Sequence, residues 1–407
     1  MKLLFNMAWR NLWRNKRRTV ITMASIVCAI VLSIVMRSMQ LGSYGKMIDN
    51  VVGTYTGHIQ IHAKGYWDDK SINNTFAASD SLLSALATMN GVGFVVPRLE
   101  SFALAAGRER SRGSFVVGIA PEKENSLTGL RKRLIDGDYL TANDNGALVA
   151  EGLAKFLMLG TGDSIVLLGQ GYHGMSAAGA LHIRGIVRFA SPELNRSFVY
   201  LDLGAAQSLF STGERLTSAV VEPRDRTATK ATTRMLRSLL DESTYEVLTW
   251  RELLPELVQQ IQGDNAGGII MLAILYLVVA FGIFGTILMM TNERIREFGI
   301  VNAVGFSRGR LAVMAAIETA MLSLLSAITG SAVVLPIVLY FHAYPIRLTG
   351  EAARAMINFG VEPVLPFLLD WRLFLVQIVI VSAITAVTLL YPFYVLGTLK
   401  PVSAMRR

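Results

Sequence analysis

Four long uncharged runs constrain what this chain can fold into: one lies near the N-terminus, about 225 residues follow, and the other three crowd the C-terminal third. Residues 266–292, 319–346 and 373–399 contain no Asp, Glu, Lys or Arg. At about 1.5 Å rise per residue each covers about 40 Å, more than a hydrocarbon core about 30 Å thick. The first run, residues 19–36, is 18 residues long between Arg18 and Arg37, the lower limit for a span. This layout predicts an integral membrane protein with one large extramembrane domain.

A basic stretch before an apolar run is also how a cleaved signal peptide begins. Here the run exceeds the usual length of about 7–15 residues, and Ser38-Met39-Gln40-Leu41 offers no small-x-small cleavage site. A retained span is expected. Ser25-Ile26-Val27 ahead of Cys28 lacks the small residue that a lipoprotein signal places there, and a single cysteine allows no intrachain disulfide.

The basic residues set the orientation. Six Lys and Arg and no acid lie in residues 1–18, four basic residues in 293–310 and three in 400–407, whereas the loop 342–370 holds only Arg347 and Arg354. By the positive-inside rule both termini are cytoplasmic. The net charge of +9 concentrates in these flanks and calls for no nucleic acid partner. Within residues 1–18, Leu4, Phe5, Ala8, Trp9, Leu12 and Trp13 recur at helical spacing with Lys2, Asn6, Arg10, Arg14 and Arg17 mostly opposite. That pattern describes either a basic amphipathic helix along the membrane interface or a simple positive flank.

The predicted organisation is a cytoplasmic amphipathic segment (1–18), a first span (19–41), an extracytoplasmic domain (42–265), a second span (266–292), a cytoplasmic coupling segment (293–310), a third span (311–341), an outer loop (342–370), a fourth span (371–397) and a cytoplasmic tail (398–407). Alternation in residues 57–62 predicts a strand, as it does at 113–117, 164–168, 181–187 and 196–201. Helical periodicity marks 79–89, 151–158 and 229–240. The fold class expected is therefore four transmembrane α-helices with a large α+β domain between the first and second.

Several constellations look chemical. Gly305-Phe306-Ser307-Arg308-Gly309 matches G-x-S-x-G, but a nucleophile elbow needs a strand before it and a helix after it, and here it joins two spans. His58 and His62 stand about 13 Å apart in an extended strand, too far to share one metal ion, so they read as cross-strand or surface polar residues. Gly160-Thr161-Gly162-Asp163 suits a helix-to-strand turn, and no G-x-x-x-x-G-K-[ST] phosphate loop exists in the chain. Glu318 is the one acid well inside an apolar stretch, a position that suits a proton relay or an ion pair. It also lies about two turns from Arg310, within reach of the interface. Pro336 is expected to bend the third span.

Asn292-Glu293-Arg294-Ile295-Arg296-Glu297-Phe298-Gly299-Ile300-Val301-Asn302-Ala303-Val304-Gly305 resembles the signature of the FtsX-like, MacB-type ABC transporter permeases, in which an E-R-x-R-E-x-G-I run leads to A-x-G. Tyr391-Pro392 with Leu399-Lys400-Pro401-Val402-Ser403-Ala404-Met405-Arg406 resembles the closing pattern of that family. Ala8-Trp9-Arg10-Asn11-Leu12-Trp13-Arg14-Asn15-Lys16-Arg17-Arg18-Thr19 is similar to its start. Gly118-Ile119-Ala120-Pro121-Glu122, Val149-Ala150-Glu151-Gly152-Leu153-Ala154 and Leu159-Gly160-Thr161-Gly162-Asp163 are similar to the lipoprotein-releasing LolC/LolE branch.

The resemblance implies a non-enzymatic permease of the bacterial inner membrane, with ATP and Mg on a separate cytoplasmic ABC ATPase dimer and no cofactor in this chain. Glu293, Arg294, Arg296, Glu297, Phe298, Gly299 and Gly305 would then couple to that ATPase. A second permease, as another copy or a paralogue, and a periplasmic carrier or adaptor are the other implied partners. The cargo implied is a lipoprotein extracted from the membrane. The alternatives within the family are MacB-like efflux of periplasmic substrates and FtsX-like mechanotransmission to an envelope partner. Met39, Leu41, Met47, Ile48 and Val51, just past the first run, either line a lipid-facing entrance for substrate or pack on the second span.

Overall fold

In lipid every backbone amide must be paired within the chain, and the apolar runs satisfy this as helices. The computed structural model describes residues 2–77, 80–358 and 363–398. The chain begins with α1 (Lys2–Arg14) and α2 (Lys16–Val51), followed by β1 (Ile59–Ala63), β2 (Phe76–Ala77), α3 (Asp80–Thr88), β3 (Val92–Ala106), β4 (Ser111–Ile119) and α4 (Pro121–Thr128). Next come β5 (Leu134–Gly137), β6 (Gly146–Ala150), α5 (Glu151–Leu157), β7 (Ser164–Gln170), β8 (Ser176–Val187), α6 (Pro192–Ser197), β9 (Phe198–Asp202) and α7 (Leu203–Leu209). These lead to β10 (Arg215–Leu216), β11 (Ser218–Pro223), α8 (Thr229–Leu239), β12 (Tyr245–Thr249), α9 (Trp250–Leu253) and α10 (Pro255–Glu293). The remainder is α11 (Ile295–Ala303), α12 (Arg308–Ala343), β13 (Ile346–Arg347), α13 (Gly350–Asn358), β14 (Val364–Leu365), α14 (Trp371–Thr388) and α15 (Leu390–Gly397).

The chain forms two units: Met1–Tyr44, Ile261–Ile346 and Val364–Arg407 make one, and Gly45–Gln260 with Arg347–Pro363 the other. Among the described residues, four helical segments are long and apolar enough to cross a membrane: Thr19–Thr56, Pro255–Glu293, Arg308–Ala343 and Trp371–Gly397. Two of them overrun the uncharged runs. α2 continues to Val51, well past Met36, and α10 begins at Pro255, well before Ala266.

The bundle core is a stripe. Ile26, Ile30 and Ile34 of α2 are buried with Val279, Ile283 and Ile287 of α10 and with Leu322, Val334 and Val338 of α12. On the other faces of α10, Ile270, Met271, Val278 and Phe281 are exposed, as expected where lipid replaces water and apolarity no longer distinguishes inside from outside. A Cβ on Gly330 would lie 3.0 Å from Ile30 Cγ2, so the bare glycine is what lets α12 approach α2. Pro336 lies inside α12, which remains helical through it. α14 does break before α15: Pro392 has no N–H for the carbonyl of Thr388.

In the second unit ten strands, among the described residues, form one sheet in the order β12-β1-β11-β3-β4-β9-β6-β8-β5, with β7 paired to β3 and β8. Most pairs are antiparallel, but β4–β9 and β6–β8 are parallel. One apolar cluster gathers β4, β6 and β9 with α5 and α7. Another gathers β1, β11 and β12 with α3 and α8.

The strands read from alternation are present, and residues 196 and 197 prove to be helical, in α6 ahead of β9. β3 and β11 escape the alternation rule: β11 is buried throughout, and β3 is buried from Val95 to Ser101 and alternates only beyond, where Phe102 and Leu104 are exposed. Buried on both faces, β11 offers no alternation, whereas the buried Arg98, Glu100 and Ser101 break the apolar signal of β3. The outer loop 342–370 contains the helix α13. His58 and His62 are interior residues, not surface ones: His58 Nδ1 lies 2.8 Å from Glu222 Oε2, and His62 bridges the Thr217 carbonyl (2.8 Å) and Gln60 Oε1 (2.9 Å).

Candidate functional site

α11 is nine residues long, too short to be stable alone, and is held by what it buries. Phe298 packs with Leu311, Ala312 and Met314 of α12 and Leu396 of α15, and Gly299 is buried beside it. At its C-terminal end Gly305 has φ +109°, a conformation in the left-handed region that a side chain would strain. Phe306 N–H donates to the Val301 carbonyl (3.2 Å) and the Asn302 amide to the Phe306 carbonyl (2.7 Å), closing the turn into α12. Ser307 is therefore the residue that opens α12, with a helix on either side of the turn, so the G-x-S-x-G run is no nucleophile elbow.

Arg294 stands in the break between α10 and α11. Its Nη1 donates to both carboxylate oxygens of Glu318 on α12, at 3.0 and 2.7 Å, and Nη2 reaches the Asn11 carbonyl of α1 at 3.4 Å. Glu318 is 2% exposed and Arg294 9%. Burying two charges is costly unless each is paired and hydrogen-bonded, and this geometry meets that condition. Pro392 lines the space beside the pair, a cavity of ≈ 20 Å³ that admits about one water.

α1 is tied in by three further hydrogen bonds. Thr19 Oγ1 donates to the Leu12 carbonyl at 2.6 Å, and Arg14 Nη2 donates to Glu297 at 2.8 and 3.0 Å. The six apolar residues expected on one face of α1 are divided: Ala8 and Leu12 are buried, whereas Phe5, Trp9 and Trp13 are exposed with the two indoles edge to face at 6.0 Å. The side chain of Leu4 lies outside the described residues.

Three sequence motifs that are far apart in the chain thus meet at one end of the bundle. Of the seven residues expected to couple, Glu293, Arg296, Glu297 and Gly305 are exposed, while Arg294, Phe298 and Gly299 face inward. Two residues that sequence reasoning missed continue the outer face: Ile300 on α11, 48% exposed, and Val304, which caps its C-terminal end, 83% exposed. Their recurrence four and eight residues beyond Arg296 was the available signal. The closing motif from Leu399 onward lies outside the described residues. Met39 packs into the bundle core, and Leu41, Met47, Ile48 and Val51 are half-buried. Among the described residues no cluster of His, Cys, Asp or Glu could hold a metal ion.

The MacB-like periplasmic core domain family matches residues 19–239, more than half of the chain. The chain belongs to that family. The FtsX-like permease C-terminal family matches residues 269–401, which include α11, Glu318 and Pro392. The uncharacterized ABC transporter permease YknZ of Bacillus subtilis (strain 168) is 24% identical over 81% of this chain and 85% of its own length. The macrolide export ATP-binding/permease protein MacB of Aggregatibacter actinomycetemcomitans is 22% identical over 80% of this chain, which spans 51% of that relative's length. The crystal structure of the periplasmic region of MacB from Actinobacillus actinomycetemcomitans aligns with 53% of the chain and 98% of its own length, at 18% identity and a TM-score of 0.37. The protein is thus an ABC transporter permease of the FtsX/MacB type, a family that works with a partner ATPase.

Proposed function

We propose that the exposed face of α11, formed by Arg296, Glu297, Ile300 and Val304, is where a separate cytoplasmic ABC ATPase dimer docks, and that the chain converts ATP binding on that partner into movement of its extracytoplasmic domain. The observation that carries this reading is the division of α11 itself. One face is anchored through Phe298 and the Arg294–Glu318 pair, and the other presents two bare apolar side chains between charges. An anchored helix whose exposed face carries uncovered apolar side chains beside the Arg14–Glu297 pair suits insertion into a groove. These 407 residues hold no phosphate loop, which supports placing ATP and Mg on a partner. Both termini are then cytoplasmic, in the inner membrane of a bacterium, and the Trp9–Trp13 pair lies at interfacial depth. A second permease, either another copy or a paralogue, completes the assembly.

For cargo we propose lipoproteins extracted from the membrane for delivery to a periplasmic carrier. Half-buried apolar residues of α2 outside the uncharged run, among them Met47, Ile48 and Val51, are suited to an acyl chain. Export of periplasmic substrates is the second reading, favoured by the MacB relative. Depleting the protein in its host and comparing membrane lipoproteins by mass spectrometry separates the two. Broad retention in the inner membrane supports extraction, whereas a normal distribution with heightened sensitivity to exported compounds supports efflux. For docking, Ile300→Asp with Val304→Asp is expected to abolish co-purification with the ATPase while membrane insertion persists; retained co-purification and coupled hydrolysis would move the docking site elsewhere.

A further inference from the structure

Among the described residues, the C-terminal end of α2 is built unlike any other helix end. After Val51 the chain tightens no further but widens into a π-helical turn, Val52–Thr56, in which Gly57 N–H donates to the Val52 carbonyl at 2.7 Å. Such turns are rare and concentrate at functional positions. Gly57 then swings the chain into β1 with φ +70°, and a Cβ there would lie 2.2 Å from Val220 Cγ1. Both its conformation and its space demand glycine.

The last carbonyls of this helix end are satisfied by side chains of the sheet. Arg98, on β3 and fully buried, donates Nη1 to the Tyr55 carbonyl at 2.7 Å. Its other nitrogens grip Glu124 of α4 as a fork, at 2.8 and 2.7 Å. Tyr55 OH donates to Glu100 at 2.5 Å, the guanidinium lies over the Tyr55 ring at 4.9 Å, and that ring meets Phe198 edge-on at 5.1 Å. A cation at a helix C-terminus complements the dipole of the helix. Burial alone would depress the Arg98 guanidinium, but Glu124 more than offsets it and holds the group above its ordinary value.

An apolar cluster of the same volume can stabilise a fold as well as a buried ion pair does; what fork geometry adds is a fixed direction. We infer that Tyr55, Arg98, Glu100 and Glu124 are positioning residues that lock α2 to the sheet as a rigid joint, so that displacement of the first span is delivered to the extracytoplasmic domain instead of being absorbed by bending. This inference rests on the coupling function proposed above. It places the flexing elements of the cycle away from residues 52–57.

The test uses the full chain in lipid nanodiscs with its ATPase, carrying Cys28→Ser and spin labels at Gly45→Cys on α2 and Glu109→Cys on the β3–β4 turn. A Cβ at Gly45 meets nothing within 4 Å, and Glu109 is exposed, so neither label disturbs packing. The expected result is one narrow interlabel distance, the same with and without ATP. Glu124→Gln and Tyr55→Phe are expected to broaden that distribution and to lower cargo movement per ATP hydrolysed by about tenfold, with hydrolysis itself retained. Arg98→Gln is the harsher variant, and Tyr55→Phe, which keeps the ring, carries the test if it fails to fold. An ATP-dependent shift of the distance in the unmodified joint, or a distribution left narrow by both Glu124→Gln and Tyr55→Phe, overturns the inference. If no ATPase associates, it is the coupling function that has failed, and the broadening still reads the joint.

Discussion

Arg294 and Glu318 are 24 positions apart in sequence and 2.7 Å apart in space. Removing one member strands the other charge out of water, which costs about 3–5 kcal/mol, whereas replacing both with apolar residues of like volume is often neutral. Glu318→Ala is therefore expected to lower the melting temperature of the detergent-solubilised protein sharply. Arg294→Met with Glu318→Leu is expected to recover most of that loss, and equal melting of all three proteins would show that the pair holds nothing. Glu318 was legible in the sequence because one acid in an apolar stretch is anomalous. Its partner was not, because Arg294 looks like any other loop charge until α10 and α12 are packed. His62 makes a second residue-level case. Burial pushes it below its ordinary value of about 6.5, with Glu100 opposing and Lys70 reinforcing. The unfolded chain then binds the proton more readily than the fold does. Stability contributed by neutral His62 is complete above about pH 6.5 and is lost as pH falls toward the lowered value. Melting curves from pH 7.5 to 5 are expected to show this loss, and His62→Gln, which stays neutral, to flatten it.

At the scale of one element, α11 shows where sequence reading of the site stops. The family signature it resembles made it the expected coupling segment, yet which residues face outward depends on α12 and α15, whose contacts lie outside any local window. The two faces should fail differently. Phe298→Ala deletes a core ring and is expected to cost about 3–5 kcal/mol in stability. Ile300→Asp changes an exposed position and is expected to leave melting unchanged while weakening ATPase association, read by titrating the ATPase onto the nanodisc-embedded permease. If Ile300→Asp destabilised the fold and spared association, the two faces would have been assigned the wrong way round. The sheet had the same limit: alternation revealed β4, β7 and β8, but uniform burial hid β11, and buried polar residues such as Arg98 and Glu100 masked β3. The length of α2 was hidden for a related reason, since a helix that leaves the apolar run and gains Arg37, Lys46 and Asp49 no longer looks like a span.

For the molecule as a whole, the proposed coupling requires that energy released on a partner ATPase reach a domain whose own core is separate from that of the bundle. Two helices run without interruption from one unit into the other: α2, whose chain changes unit after Tyr44, and α10, which changes before Ile261. A continuous helix transmits rotation as well as translation, so its helical phase matters. At 3.6 residues per turn, inserting two residues after Gly45 rotates everything beyond by about 200°, while inserting four rotates it by about 40° net. Two alanines at this point are expected to abolish cargo movement and spare ATPase binding, and four are expected to restore part of the activity although they lengthen the helix more. A flexible tether would respond to length alone. Equal tolerance of both insertions would show that α2 is merely a tether and would leave α10 as the helix that carries the force.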